Sequence, residues 1–495
     1  MKLNITKFEK LPKLAWLAEV KKHNKTINVF SGEWVESRDG FFIEGAWDGD
    51  FEQGEFDKSI AFTGSGAILG DNAIKFVAPT NGMEAIYAIK FKDVYYFSNS
   101  ISFLLEHLNL DLNYNYIDYE SDFISIAEGI HKYKKYIPLA DNHKLEVYYF
   151  TNIIVNENLE LKLEDKSPSP EFRNFEDYHQ FLLNTLKQMK ENFNAPDRVK
   201  KYDPLVFVSN GYDSPTCAVL GKSIGCDKAI VFESKKSKVD TGKPIAEKLR
   251  YQQIIEHDEL EYLNTDKTEE FVANGEIGTS IYFSVVEKEL EGSFVLSGGH
   301  GDLIWGKDTT PNTELIRDFF PGTARKENRL RVGYHFLPVP FLAVQSHFSI
   351  NRISNSDEMK KWTLNNDYDR PIARRIVETA GVPRDMFGIE KDGGVASSLR
   401  FLNLMYLKKV MPKANFKEFE LYYKENKSKR KKSLKYYYRS LRYLIYIFKV
   451  VLKSKGIIRD FKLPEKKYTC SPWAPSFLFF WGVNKIRPRY DIKNL

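Results

Sequence analysis

From residue 204 onwards the chain alternates short apolar runs with stretches of helical spacing, and that alternation leaves few folds open. PLVFVS (204–209) and KAIVFES (228–234) are unbroken apolar runs, the pattern of strands covered on both faces. SPTCAVLGKSIG (214–225) between them predicts a helix, with Ser214 as its cap and Pro215 opening its first turn. GKPIAEKLRYQQIIE (242–256) predicts a second helix, and SFVLSGG (293–299) a third buried strand running into glycines. Buried strands separated by helices imply an α/β fold with a doubly wound parallel sheet. Ligands of such sheets bind beyond the C-terminal strand ends. Two loops with polar and glycine residues fall there, SNGYDS (209–214) and SGGHGD (297–302).

The region before residue 165 has a different texture. GFFIEGAW (40–47), KSIAFTGSG (58–66), AIKFVAPTNG (73–82), EAIYAIKF (84–91) and DVYYFSNS (93–100) are short aromatic or alternating runs bounded by turn residues, and read as strands. DKSPSPEF (165–172) reads as a polar linker. FEDYHQFLLNTLKQMKENF (175–193) follows, with Tyr178, Phe181, Leu182, Leu186 and Met189 at helical spacing. At 495 residues the chain exceeds one ordinary core. The expected division is a β-rich unit over 1–165, an α/β unit over 172–415 and a basic, aromatic, helical extension over 416–495.

No run of eighteen apolar residues occurs, and the start MKLNITKFEK lacks a secretory apolar core. Three cysteines without a C-x-x-C spacing exclude a disulfide framework and suit a reducing cytoplasm. The expectation is a soluble cytoplasmic protein, at most peripheral at the inner membrane face. A net charge of +6 over this length implies no general affinity for nucleic acid.

Gly221-Lys222-Ser223 resembles the end of a Walker A loop, but the first glycine of that motif would fall on Thr216. The better phosphate cradle lies upstream. Ser209, Asn210, Gly211, Asp213 and Ser214 stand between a strand and a helix N-terminus, where backbone donors favour an anion. Asp213 would repel phosphate unless Mg²⁺ intervened, which points to a metal–phosphate complex. The plainer alternative is a capped helix without a ligand.

The loop resembles the S-G-G-x-D-S pyrophosphate loop of the N-type ATP pyrophosphatases (PP-loop proteins), with Asn210 in the second place. Three further segments are similar to the asparagine synthetase family: VLSGGHGDLIWG (295–306), VPFLAVQSHFS (339–349) and YDRPIARRIVETAGVPRDMFGIEKDGG (368–394). DVYYFSNSISFLL (93–105) resembles a segment of that family's N-terminal amidotransferase domain, an Ntn-type sandwich. The resemblance implies that Ser209, Asn210, Gly211, Asp213, Ser214, Ser297, Gly298 and Gly299 hold the phosphates of ATP, and that Asp213 and Asp302 bind Mg²⁺. It implies that Lys391 stabilises charge at the attacked α-phosphate.

Departures from the family are equally informative. No Cys precedes Cys217, so the family's glutaminase nucleophile is missing and that activity is expected to be lost. Gly299 replaces the Glu that handles the amine, and Ala343 replaces the Asp of P-F-L-D. His300 is a candidate amine-handling base if it titrates near neutrality. The resemblance implies an AMP-forming amide ligase acting on a carboxylate, such as a uronic acid of a surface polysaccharide precursor, and on an amine or ammonia. The rival reading is a catalytically inactive descendant with a binding or assembly role.

Between 427 and 442 the chain carries eight Lys or Arg residues and no acid, with tyrosines and aliphatics interleaved or following. Residues 427–453 suit an amphipathic helix on an anionic membrane surface, or a packed helix with a solvated basic face. Nucleic acid is the weaker third reading, since no RNA-binding motif accompanies the aromatics. SPWAPSFLFFWGVNKIRPRY (471–490) is too short to span a bilayer and is expected to lie against the body.

Overall fold

The computed structural model describes residues 1–233, 242–276, 278, 280–317, 325–364, 366–388, 404–459, 461–462, 464–469 and 475–493. It is a mixed α/β protein built on three sheets. Residues 2–164 form two of them. One runs in the order Lys2–Lys7, Thr26–Ser31, Trp16–Lys21, Val94–Ser98, Ile86–Phe91, Lys144–Tyr148, Tyr136–Pro138, and is antiparallel except at its first pair. The other is antiparallel throughout and is centred on Phe41–Trp47, Phe62–Leu69 and Ala73–Val77. The sheets face each other through Phe76, stacked on Phe97 at 4.0 Å, and Trp16, set edge-on to Phe42 at 5.2 Å. The aromatic runs read as strands are therefore strands, and they meet at a dry aromatic seam.

The third sheet is parallel, in the order Gln253–Asp258, Lys228–Glu233, Asp203–Phe207, Ser293–Ser297, His335–Pro338. Leu205, Val206, Ile230, Val231, Val295 and Leu296 are wholly buried, which explains why these strands show no alternation. Strand order reverses beside Asp203–Phe207, and the register Leu205–Val295 brings its end level with that of Ser293–Ser297. Such a reversal opens a crevice between the two following loops.

One expectation needs correcting. The helix predicted over 242–256 stops at Lys248, and Gln253–Asp258 is a strand. Arg250 adopts φ 58°, a left-handed turn that ends the helix without a glycine. The stretch read as a polar linker carries no helix or strand, and it is fastened to the body. Ser167 donates to the Lys58 carbonyl at 2.7 Å, the Pro170 carbonyl accepts from Ser346, and Phe172 is buried.

Lys166 is buried in the same stretch, donating to Asn152 Oδ1 at 2.6 Å. Burial lowers its pKa to about 7, against the smaller upward pull of Asp57 and Glu164. A lysine depressed on folding binds fewer protons folded than unfolded, so stability rises with pH from about 7 up to the unfolded lysine range. Denaturant melts of the wild type should show that rise, and Lys166→Met should flatten it.

Apolar packing continues into the residues beyond 415. Phe477, Leu478, Phe479, Phe480 and Trp481 of helix Pro475–Ile486 are buried, as expected for that segment, and Phe419 meets Trp481 edge-on at 6.0 Å. Tyr490 then stacks on Phe103 of helix Ile101–Leu108 at 5.0 Å, tying the C-terminal residues to the first sheet.

Candidate functional site

The strand Asp203–Phe207 delivers Ser209 to solvent, and the loop closes on itself. Ser209 Oγ lies 2.6 Å from Ser214 Oγ, the Ser209 amide donates to the same oxygen at 3.0 Å, and the Gly211 amide reaches Ser209 Oγ at 3.4 Å. Ser214 is thus a loop-closing residue rather than the helix cap. The helix begins at Asp213, with Tyr212 in the cap position and Pro215 third in the first turn. Pro costs nothing there, since first-turn amides have no partner within the helix.

Asp213 is pressed against the second loop. A Cβ on Gly298 would come within 2.5 Å of the Asp213 side chain, and one on Gly301 within 2.3 Å of its Oδ1. Both glycines are therefore needed for the two loops to touch. Gly299 is different, because a Cβ there would meet only Ser297 Oγ, at 3.4 Å. Gly301→Ala should lower stability by about 1–3 kcal/mol through overpacking, and Gly299→Ala should stay within about 0.5 kcal/mol. Urea melts of the two variants check the contrast.

The cation facing this junction is Arg370, which sequence reasoning passed over. Its Nη1 pairs with Asp213 Oδ2, and its guanidinium lies 5.1 Å from the Tyr368 ring. Burial works against its charge, but Asp213, then Tyr368 and Asp302, outweigh that and raise its pKa above the ordinary arginine value. Asp213 pairs with Arg370 directly, and Asp302 adds a weaker electrostatic pull on the same guanidinium. No local signal separates Arg370 from Arg374 and Arg375. Arg374 instead donates to the Tyr212 hydroxyl, and Arg375 lies over Phe175 at 3.9 Å.

Tyr212 anchors the rear of the loop, edge-on to Tyr368 at 4.9 Å and to Phe387 at 5.9 Å. The Gly388 amide donates to the Asn210 carbonyl at 2.7 Å. Gly388 has φ 64°, and a Cβ would sit 2.4 Å from the Tyr212 ring, so only glycine fits. Lys391 lies outside the described residues; the last described residue before it is this glycine, clamped to the candidate phosphate loop.

His300 does not meet the expectation of near-neutral titration. Its ring stacks on Phe341 at 4.9 Å, and burial, followed by Arg317 and Arg325, pushes its pKa well below the usual histidine value. The imidazole is neutral at physiological pH and weakly basic. Its φ of 66° shapes the turn into the short helix Gly301–Ile304. Ala343 is buried with φ 55° and brings no charge to the site.

Gly221-Lys222-Ser223 is structural. Lys222 Nζ pairs with Asp227 at 2.6 Å and lies over the Tyr251 ring at 5.0 Å. Among the described residues no group of three or more His, Cys, Asp or Glu forms a metal cage. Two carboxylates suit a Mg²⁺ that keeps waters and phosphate oxygens as its other ligands. No protein-family model matches the chain, and no curated protein matches it.

Proposed function

We propose that the chain is an ATP-dependent, AMP-forming C–N ligase of the asparagine-synthetase type that lacks its own glutaminase. The observation that carries this reading is the junction at the sheet's reversal point, where Gly298 and Gly301 let the second loop close on Asp213 beside an accessible strand-to-helix loop. In this reading Mg-ATP is a substrate, and it supplies the adenylyl group that activates a carboxylate for attack by an amine or ammonia. Asp213 and Asp302 hold the Mg²⁺. Ser209, Asn210, Gly211 and Ser214, with Ser297, Gly298 and Gly299, surround the phosphates with hydroxyls and backbone amides. Lys391 supplies positive charge at the α-phosphate. Neutral His300 shapes the second loop through its φ of 66° and its stack on Phe341. A uronic acid or related glycan carboxylate is the first acid to try, on resemblance alone.

Arg370 favours a second reading. Its guanidinium already neutralises Asp213, as a permanent substitute for the metal would in a non-catalytic binding protein. One experiment separates the two. Titration calorimetry with ATP and Mg²⁺, followed by pyrophosphate release with candidate acids, should give binding that requires Mg²⁺ and release that requires an acid. Absence of Mg-ATP binding would sink the ligase reading and leave the binding protein.

A further inference from the structure

The helix Leu434–Ser454 turns its apolar side outwards. Leu434, Leu441, Leu444, Ile445 and Phe448 are 43–89% exposed, whereas the buried side chains of this helix are Arg439 and Tyr443. At 3.6 residues per turn, those exposed apolar positions, with Tyr437, Tyr438 and Val451, fall within an arc of about 140°. Arg439 and Tyr443 lie on the opposite side. A helix serving only to cover a soluble body would present the reverse arrangement.

The helix is held in this attitude from its inner side. Arg439 Nε donates to Asp118 Oδ1 at 3.0 Å, and Lys435 pairs with the same carboxylate at 2.8 Å. Arg442 lies over the Tyr468 ring at 4.8 Å. Lys435, Arg442 and Lys449 recur every seven residues and line one border of the apolar arc, and Lys453 continues that border. Among the described residues no helix is long and apolar enough to cross a membrane.

We propose that this face lies on an anionic lipid bilayer, with the apolar arc at the headgroup–acyl boundary and the basic border on lipid phosphates. Charge complementarity selects this occupant, since the segment 427–459 has twelve basic residues and no acid. A second copy of the chain would set this run of positive charge against itself. A nucleic acid would engage the basic border and leave the aliphatic arc in water. The proposal stands independently of the ligase reading, because the helix shares no residue with the site at Asp213.

The test is co-sedimentation of the full chain with vesicles of phosphatidylcholine, with and without about one-quarter phosphatidylglycerol. Partitioning onto the anionic vesicles should be at least ~10-fold stronger than onto neutral ones. The double substitution Leu441→Glu/Phe448→Glu should reduce it by a further ~10-fold or more. Arg442→Gln/Lys449→Gln should abolish the preference for anionic lipid. All four side chains are exposed, and Arg442 gives up only its contact with the Tyr468 ring while Arg439 and Lys435 keep Asp118, so nearly unchanged circular dichroism melts should accompany these losses. Equal sedimentation of wild type and the Leu441→Glu/Phe448→Glu variant, or none by either, would overturn the proposal. So would a concentration-dependent dimer dissolved by that variant, which assigns the face to a second copy. Salt-sensitive binding of single-stranded RNA without vesicle association would overturn it in favour of nucleic acid.

Discussion

Arg329→Met is expected to destabilise the protein by about 3–5 kcal/mol, because it strands the buried Glu44 and the part-buried Glu84. Arg329 comes from the helix Lys326–Val332, and its side chain is only 2% exposed. Its Nη1 donates to Glu44 Oε2 at 2.8 Å, and its Nε and Nη2 grip Glu84 at 2.8 and 2.7 Å. Glu44 sits in the strand Phe41–Trp47, so this one guanidinium joins the β-rich sheets to the parallel-sheet unit. Lys326 supports the same junction by donating to the Ala85 carbonyl at 2.5 Å. Methionine has a comparable length but satisfies neither carboxylate.

The pH dependence gives a second readout. Burial alone would raise the pKa of Glu84, but Arg329 and Lys326 outweigh it and hold the carboxyl below its ordinary value. A carboxylate depressed on folding contributes stability that is present above the unfolded value near 4.5 and lost as pH falls through the folded one. In Arg329→Met burial dominates, and the sign reverses. Stability should then fall as pH rises above 4.5. Urea midpoints of both proteins between acid and neutral pH decide this. Adding Glu44→Gln and Glu84→Gln to Arg329→Met should recover part of the loss, since neutral amides are cheaper to bury than unpaired charges.

On the proposed ligase reading, Asp213→Asn should lower the rate of pyrophosphate release from Mg-ATP by about 10²–10³-fold. The amide keeps the shape that fits against Gly298 and Gly301, so the loops stay in contact while the charge is removed. Breaking the pair with the buried Arg370 also costs stability, so rates are compared well below the melting temperature of either protein. Arg370→Met should act in the opposite sense on the metal. With the guanidinium gone from Asp213, the Mg²⁺ concentration for half-maximal release should fall, whereas in Asp213→Asn it should rise. If both variants release pyrophosphate with wild-type rate and metal dependence, the junction is not where Mg-ATP is processed.

Much of the parallel sheet is visible in the alternation of apolar runs and helices, because strands buried on both faces must be apolar throughout. The two strands that escaped are instructive. Gln253–Asp258 has a single Ile-Ile pair between polar residues and follows a helix that no Gly or Pro terminates. His335–Pro338 is a four-residue edge strand closing on a proline. Both loops of the candidate site were legible from their position after buried strands. Arg370 was not, because three arginines within six residues look alike until the fold aims one of them at Asp213. His300 was legible as a loop residue, but its suppressed basicity depends on Phe341, Arg317 and Arg325, none of which is near it in the chain.

The amino-acid sequence alone determines what is periodic or contiguous: the parallel strands, the glycine loops at their ends and a basic run without acids. These are local properties, set by side-chain spacing of two or 3.6 residues and by backbone donors at a helix start. Tertiary structure decides which charges meet and which faces are left over. Glu44 and Arg329 are 285 residues apart in the chain yet share two hydrogen bonds. The apolar arc of Leu434–Ser454 faces outwards because Asp118 draws Arg439 inwards. Pairings of that kind follow from sheet order and domain docking, and no spacing along the chain encodes them.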